Sequence, residues 1–314
     1  MRLPNFFIVG AAKAGTTSLY HYLGQHPEIY MSPVKEPHYF CVEFREENVE
    51  PEARVTVAKA NRELEQFLNG PMEGQRFGGT ISRWEDYVRL FANAGGAKAI
   101  GEATPAYLWS PGAAAAIYEK IPHAKILILL RDPAERAFSH YHHLLANGAV
   151  RWSFGEHIRR CLAHRGTRIC GFYPFLELGL YAQQVERYLG LFGRNVWIGF
   201  HDDFKHRQTE MFQQIFRLLE VAVNFQLDTS HRHLEAQVPR MNWIGKLKAS
   251  GAWQSTARLT PKSLRPLIRR ALVRKPGTTR MDPADRRVLV DYYRDEIEKL
   301  KTLTGRDLSL WLAT

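Results

Sequence analysis

No stretch of this chain is apolar for long enough to cross a bilayer. Its cleanest apolar run, Ile126 to Leu130, is five residues, and a spanning helix needs about 20. The N-terminus, MRLPNFFIVG, enters a strand-like run with no small-residue cleavage site, so no signal peptide is expected. Cysteine is scarce: Cys41, Cys161 and Cys170 form an odd trio without zinc-ligand or redox spacing, which points to a reducing, cytoplasmic setting. There is no internal repeat, low-complexity tract or linker, so one domain over residues 1–314 is expected. Acidic residues are missing between Glu235 and Asp282. That same span carries eleven Lys and Arg, which matches the +11 net charge of the whole chain. An anionic partner is expected on that segment.

What is present is ample core and a regular alternation. With 45% hydrophobic and 24% charged residues among 314, the chain can bury a sizeable core. Strands are expected at 6–10, in AKAIGEATPAYL, in AKILILLRD and in NVWIGFHDDF. Between them lie helical patterns: about 16–24, RWEDYVRLFANAGG, PGAAAAIYEKI, the segment opening at Asp132-Pro133, GLYAQQVERYLGLF, TEMFQQIFRLLEV and a long C-terminal helix. Strands alternating with helices imply an α/β fold with a central parallel sheet covered on both faces.

FFIVGAAKAGTTSLYHYL, residues 6–23, has the outline of a phosphate-binding loop but lacks its lysine. In G-x-x-x-x-G-K-[ST] the lysine follows the second glycine and reaches the β/γ-phosphates. Here Gly10 and Gly15 keep the spacing, Thr16 takes the lysine's place, and Lys13 lies inside the turn. A strand–turn–helix corner in a parallel sheet offers free N–H groups and a positive dipole end. Thr16, Thr17 and Ser18 add hydroxyls, and Lys13 adds a point charge. An ordinary structural corner would look the same. A triphosphatase or kinase is a second reading, since ILILLRD ends in an aspartate. Asp132, however, lies one residue late for magnesium and suits the cap of the next helix.

Three ordered stretches, AAKAGTTSLYHYLGQHPEI…KEPHYF, GEATPAYL and ILILLRDPAERAFSHY, resemble the sulfotransferase family, in its heparan sulfate and bacterial carbohydrate branch. The resemblance implies a P-loop-like loop that holds the 5′-phosphosulfate of 3′-phosphoadenosine-5′-phosphosulfate (PAPS), releasing 3′-phosphoadenosine-5′-phosphate (PAP), with no metal. On this chain it assigns Lys13, Ala14, Gly15, Thr16, Thr17 and Ser18 to the phosphosulfate, with Lys13 at the leaving oxygen. Arg131 and Ser139 would grip the 3′-phosphate; arginine's fork pairs two phosphate oxygens at once. Glu36 would take the acceptor proton with help from His38, and His38 is itself the alternative base. Lys275, Gly277 and Arg280 in RKPGTTR resemble a basic loop that closes over the nucleotide. Cys41 stands where animal members often have aspartate, and Ala103 where some have lysine.

The pairing of Lys35 with Glu36 also has an ordinary reading as a surface ion pair. The histidines of HYHH, 140–143, lack a second ligand group at zinc spacing. The basic segment could instead bind nucleic acid, but no recognised motif supports that. Within 262–275, Leu264, Leu267, Ile268, Ala271 and Leu272 share one helical face, with Arg265, Arg269 and Arg270 on the rest. Such a helix either borders the cofactor cleft or touches an anionic membrane. The expected acceptor is a hydroxyl of a saccharide, a glycosylated small molecule or a glycolipid.

Overall fold

The computed structural model describes residues 2–49, 51–164, 174–228 and 280–314, together with the short strands Val238–Pro239 and Val273–Arg274. These residues divide into two compact units: Met1–Arg131 with Tyr181–His233 and Thr302–Gly305, and Asp132–Leu180 with Leu234–Lys301 and Arg306–Thr314.

The first unit contains the expected parallel sheet. Strands β1 (Phe6–Gly10), β2 (Ile29–Met31), β5 (Ala99–Ala103), β6 (Lys125–Leu130) and β7 (Val196–Phe200) lie in the order β2-β5-β1-β6-β7. All neighbouring pairs are parallel, in registers such as Phe6↔Gly101, Phe6↔Lys125 and Ile126↔Val196. The unbroken apolar runs explain the central position of β1 and β6. All of β1 is buried, and so is β6 from Ile126 onward, as strands covered on both faces must be. From β1 the chain turns to β2 and β5, whereas β6 leads to β7 on the other side. The carboxyl ends of β1 and β6 therefore flank the point where the winding reverses, the usual place for a ligand in such a sheet.

Helices α1 (Thr16–Leu23), α2 (Pro51–Asn69), α3 (Trp84–Arg89), α4 (Ala106–Trp109), α5 (Ala113–Lys120), α8 (Tyr181–Phe192), α9 (His201–His206) and α10 (Gln208–Leu219) complete this unit. A two-stranded parallel pair, β3 (Val34–Lys35) with β4 (Arg76–Phe77), stands apart from the main sheet. One expectation needs correction. The strand in NVWIGFHDDF stops at Phe200, because His201 begins α9, whose first turn carries Asp202 and Asp203 beside the positive helix end. The helix in RWEDYVRLFANAGG is short, as its pattern implies, at six residues.

The second unit is built on α6 (Pro133–Ala146), α7 (Phe154–Ala163) and α11 (Pro283–Thr304). Asp132 caps α6 as expected, accepting from the Ala134 and Glu135 amides at 2.8 and 3.2 Å. Its other oxygen meets Arg286 of α11 at 2.9 Å, so both oxygens are engaged. Tyr293 donates to the Leu176 carbonyl at 2.8 Å, and the fully buried Arg136 donates to that of Phe175 at 2.5 Å. Three histidines of this unit are packing groups. His140 stacks on Phe175, His142 meets Phe138 edge-on, and burial holds His157 down to about 4. The short strands Val238–Pro239 and Val273–Arg274 (β8 and β9) pair antiparallel.

Candidate active site

The loop after β1 takes its shape from two glycines with different tasks. A Cβ on Gly10 would lie 2.5 Å from the Leu108 side chain, so Gly10 lets α4 pack against β1. Gly15 has ordinary room, 3.5 Å to His201, but sits at φ +106° as the N-cap of α1. Only glycine takes that backbone without strain. The start of α1 has no side-chain cap and no acidic residue in its first turn. Its first N–H groups have no intrahelical acceptors, and the helix dipole makes this end positive. Ala14 and Thr16 are buried, while Lys13, Gly15, Thr17 and Ser18 are half-buried. Arg131 follows β6 directly and donates to the Lys13 carbonyl at 3.3 Å. The loop and the arginine after the neighbouring strand are thus joined directly, at a helix start with no acidic residue in its first turn, which suits an anion.

The second element is the turn after β3. The Glu36 amide donates to the Ala103 carbonyl at the end of β5 (3.0 Å), and Gly78 donates to Lys35 (2.9 Å). The Ile81 amide bonds the Pro37 carbonyl at 2.9 Å. Phe40 is buried and meets Phe7 of β1 edge-on at 5.9 Å. The turn is stitched to both sheets of this unit. Lys35 does pair with Glu36, Nζ to Oε1 at 2.5 Å, but not at the surface: the lysine side chain is 1% exposed and the glutamate 28%. Removing one partner of a buried pair costs about 3–5 kcal/mol, so this lysine is committed to its glutamate.

Lys13, Glu36 and His38 share a backbone feature that their sequence does not show. Their φ values are +68°, +64° and +53°, and only Met72 and Glu220 join them among the described non-glycine residues. Such a conformation costs about 1–2 kcal/mol per residue. It persists where the surroundings over-determine it, most often at functional sites.

The electrostatics tie the three together. Burial pushes the Glu36 carboxyl up, but the Lys35 ammonium beside it, with Lys13 adding to the pull, holds it below the usual carboxylate range. It is therefore ionised at neutral pH. Burial lowers His38 more than Glu36 raises it, so its ring is neutral. His38 stacks on Phe44 at 4.2 Å, and its Nδ1 donates to the Gly79 carbonyl at 3.1 Å. A carbonyl only accepts, so the proton is on Nδ1 and Nε2 carries the lone pair. That Nε2 is buried without a hydrogen-bond partner.

Beneath the turn lies a carboxyl that sequence reasoning passed over. Glu102 of β5 is fully buried and accepts from Tyr87 (2.9 Å), Tyr107 (3.1 Å) and the Thr104 hydroxyl. The signal was available in the GEATPAYL motif, where an acid stands in an otherwise apolar strand. Lys35 was likewise visible, but as half of an exposed pair.

Ser139 lies half-buried on α6, in the second unit. Arg280 is exposed just ahead of α11. Lys275 and Gly277 fall outside the described residues, as does nearly all of the basic 236–281 segment. Among the described residues, no group of three or more His, Cys, Asp or Glu could hold a metal ion, and no helix is long and apolar enough to cross a membrane.

The chain is similar to known proteins. A sulfotransferase from Alicyclobacillus acidocaldarius is 30% identical, with all of both chains covered and a TM-score of 0.72. The membrane-associated sulfotransferase kil1 of Dictyostelium discoideum is 31% identical over 140 residues, 45% of this chain and 23% of that protein. The bifunctional heparan sulfate N-deacetylase/N-sulfotransferase 1 of Xenopus laevis is 26% identical over 336 aligned residues, covering 99% of this chain and 31% of that protein. The chain thus spans less than a third of either curated relative. The sequence profile of the sulfotransferase family matches residues 4–185, which hold the loop, the 34–40 turn, Glu102, Arg131 and Ser139. The chain belongs to the sulfotransferase family.

Proposed function

We propose that residues 1–314 act as one catalytic unit that transfers a sulfuryl group from PAPS to a hydroxyl of a saccharide, or of a glycosylated small molecule or lipid. The donor supplies an activated sulfuryl group on a phosphate leaving group; everything else falls to this chain's own residues. The reading is carried by the left-handed backbone that Lys13, Glu36 and His38 share beside the uncapped, acid-free start of α1.

The loop's chemistry fits the donor. An uncapped, acid-free helix start with a lysine and an arginine beside it suits an anion with two acidic groups. Lys13 sits in the turn where the oxygen of a departing phosphate would gain charge, and a cation there acts most strongly in the transition state. Ala14, Gly15, Thr16, Thr17 and Ser18 would hold the phosphosulfate. The family resemblance assigns Arg131 and Ser139 to the 3′-phosphate, and Lys275, Gly277 and Arg280 to the nucleotide. Glu36, ionised and oriented by Lys35, accepts the acceptor's proton; its lowered pKa costs basic strength but keeps it in the accepting form.

A second assignment of the base has its own observation. The buried, unpaired Nε2 lone pair of His38 could take the proton instead. The saccharide acceptor is supported by the heparan sulfate relative, and the basic 262–275 stretch would meet an acidic acceptor or an anionic membrane. A thermal-shift comparison of PAP, ATP with magnesium and an oligonucleotide tests the donor class. Stabilisation by PAP alone is expected; stabilisation by ATP–magnesium alone would replace this reading with a kinase.

A further inference from the structure

Glu102 takes no part in the transfer chemistry above, yet it sits beneath the turn that carries it. Its carboxyl is fully buried and collects three hydroxyl donors from three places: Thr104 after β5, Tyr87 on α3 and Tyr107 on α4. Burying an acid in this way is expensive unless its oxygens are satisfied.

The two tyrosines reach past it to the turn. Tyr87 stacks on Tyr39 with centroids 4.7 Å apart and meets Phe40 edge-on at 5.3 Å. Tyr107 meets Phe40 edge-on at 5.7 Å, and its hydroxyl oxygen accepts from the Phe40 amide at 3.4 Å. Behind Tyr107, Tyr188 donates to its carbonyl at 2.8 Å. The strand that carries Glu102 also bonds the Glu36 amide through the Ala103 carbonyl. We propose that Glu102 is a positioning residue: its carboxyl anchors the Tyr87 and Tyr107 hydroxyls, and these rings hold the 36–40 turn in the backbone that aims Glu36 and His38.

The anchor depends on charge. Burial pushes Glu102 up to about 7, against the Thr104, Tyr87 and Tyr107 hydroxyls and the Lys35 ammonium, which pull it down. Tyr188 also faces it electrostatically, and burial keeps Tyr87, Tyr107 and Tyr188 neutral well beyond that range. Above pH 7 the carboxylate accepts all three hydroxyls. Below it, the acid gains a proton that must be donated, so one of the three hydroxyls has to reverse and accept it, and one of the three donor bonds to the carboxyl is lost. The turn is therefore held best on the alkaline side of neutrality.

The kinetic part of this proposal rests on the sulfotransferase reading, so the first test does not use activity. Carbon NMR of glutamate-labelled protein should show a carboxyl titrating near 7 that vanishes in Glu102→Gln. The His38 ring signal should show the same inflection, distinct from its own lower one, and lose it in that variant. A His38 signal that ignores pH 7, or keeps the inflection in Glu102→Gln, overturns the proposal.

Should Glu102→Gln not fold, Tyr107→Phe keeps the ring and removes one donor to the carboxylate. The inflection must then move upward, and an unmoved inflection overturns the proposal equally. In sulfuryl transfer, kcat should rise about tenfold through the same inflection, a cost in line with small misplacement of reacting groups. Glu102→Gln should stay at the lower plateau with the donor KM unchanged. A wild type that titrates as described but transfers nothing would refute the function and leave the positioning role standing.

Discussion

The Lys35 ammonium lies 2.5 Å from the Glu36 carboxylate, with the lysine buried and the glutamate opening toward solvent. The pair is asymmetric: the cation is structural, and the anion alone remains reachable by a substrate. Lys35 is thus the residue that fixes both the orientation and the ionisation of Glu36.

Lys35→Met should raise the Glu36 pKa, since burial would then act with less opposition. The sign follows from linkage. A carboxyl depressed in the folded state adds stability above its unfolded pKa, and loses it as pH falls through the folded value. Wild-type urea midpoints should therefore drop as the pH falls below about 4, with that contribution missing in Lys35→Met. An identical acid dependence in both proteins would mean the pair does not hold Glu36.

Lys13→Ala should cut turnover by about 100-fold or more, the loss typical of one oxyanion-type stabiliser. PAP affinity, measured by calorimetry, should change far less. Turnover that survives while affinity collapses would make Lys13 a nucleotide anchor only.

Glu36→Gln keeps the shape of the side chain and removes its charge. Single-turnover transfer should fail while PAP binding persists, and His38→Ala should be the milder change. The reverse order would assign the base to the His38 Nε2 lone pair.

Gly10→Ala should destabilise the protein by about 1–3 kcal/mol, the usual cost of overpacking, because the new Cβ would press on Leu108. Adding Leu108→Gly, which removes the Cβ that the new atom would meet at 2.5 Å, should relieve the clash, so the two changes should be non-additive in urea unfolding. Additive losses would contradict the close approach of β1 and α4.

Much of this arrangement was legible before the fold. FFIVG and KILILL announced their buried strands through unbroken apolar runs, and Asp132-Pro133 announced the start of α6. Gly15 was legible as a special backbone position from the loop spacing. The hidden parts depend on contacts between distant segments. Burial of Lys35 follows from the pairing of Val34–Lys35 with Arg76–Phe77, which two residues of sequence cannot signal. The positive φ of Lys13, Glu36 and His38 has no residue-type mark, since glycine is its only reliable one. Glu102 showed only as an acid in an apolar strand, and its partners Tyr87 and Tyr107 lie on separate helices. The capped helix Phe154–Ala163 was missed although Ser153 and Glu156 have capping-box spacing, and the Ser153 hydroxyl does accept from the Glu156 amide at 3.3 Å.

The most direct measurement is transfer of label from sulfur-labelled PAPS to desulfated heparin and chondroitin oligosaccharides, comparing wild type with Lys13→Ala and Glu36→Gln. Saccharide-dependent release of PAP with label on the sugar, strongly reduced in both variants, is the predicted result. No labelled saccharide from the wild type, or equal labelling by all three proteins, would contradict the account.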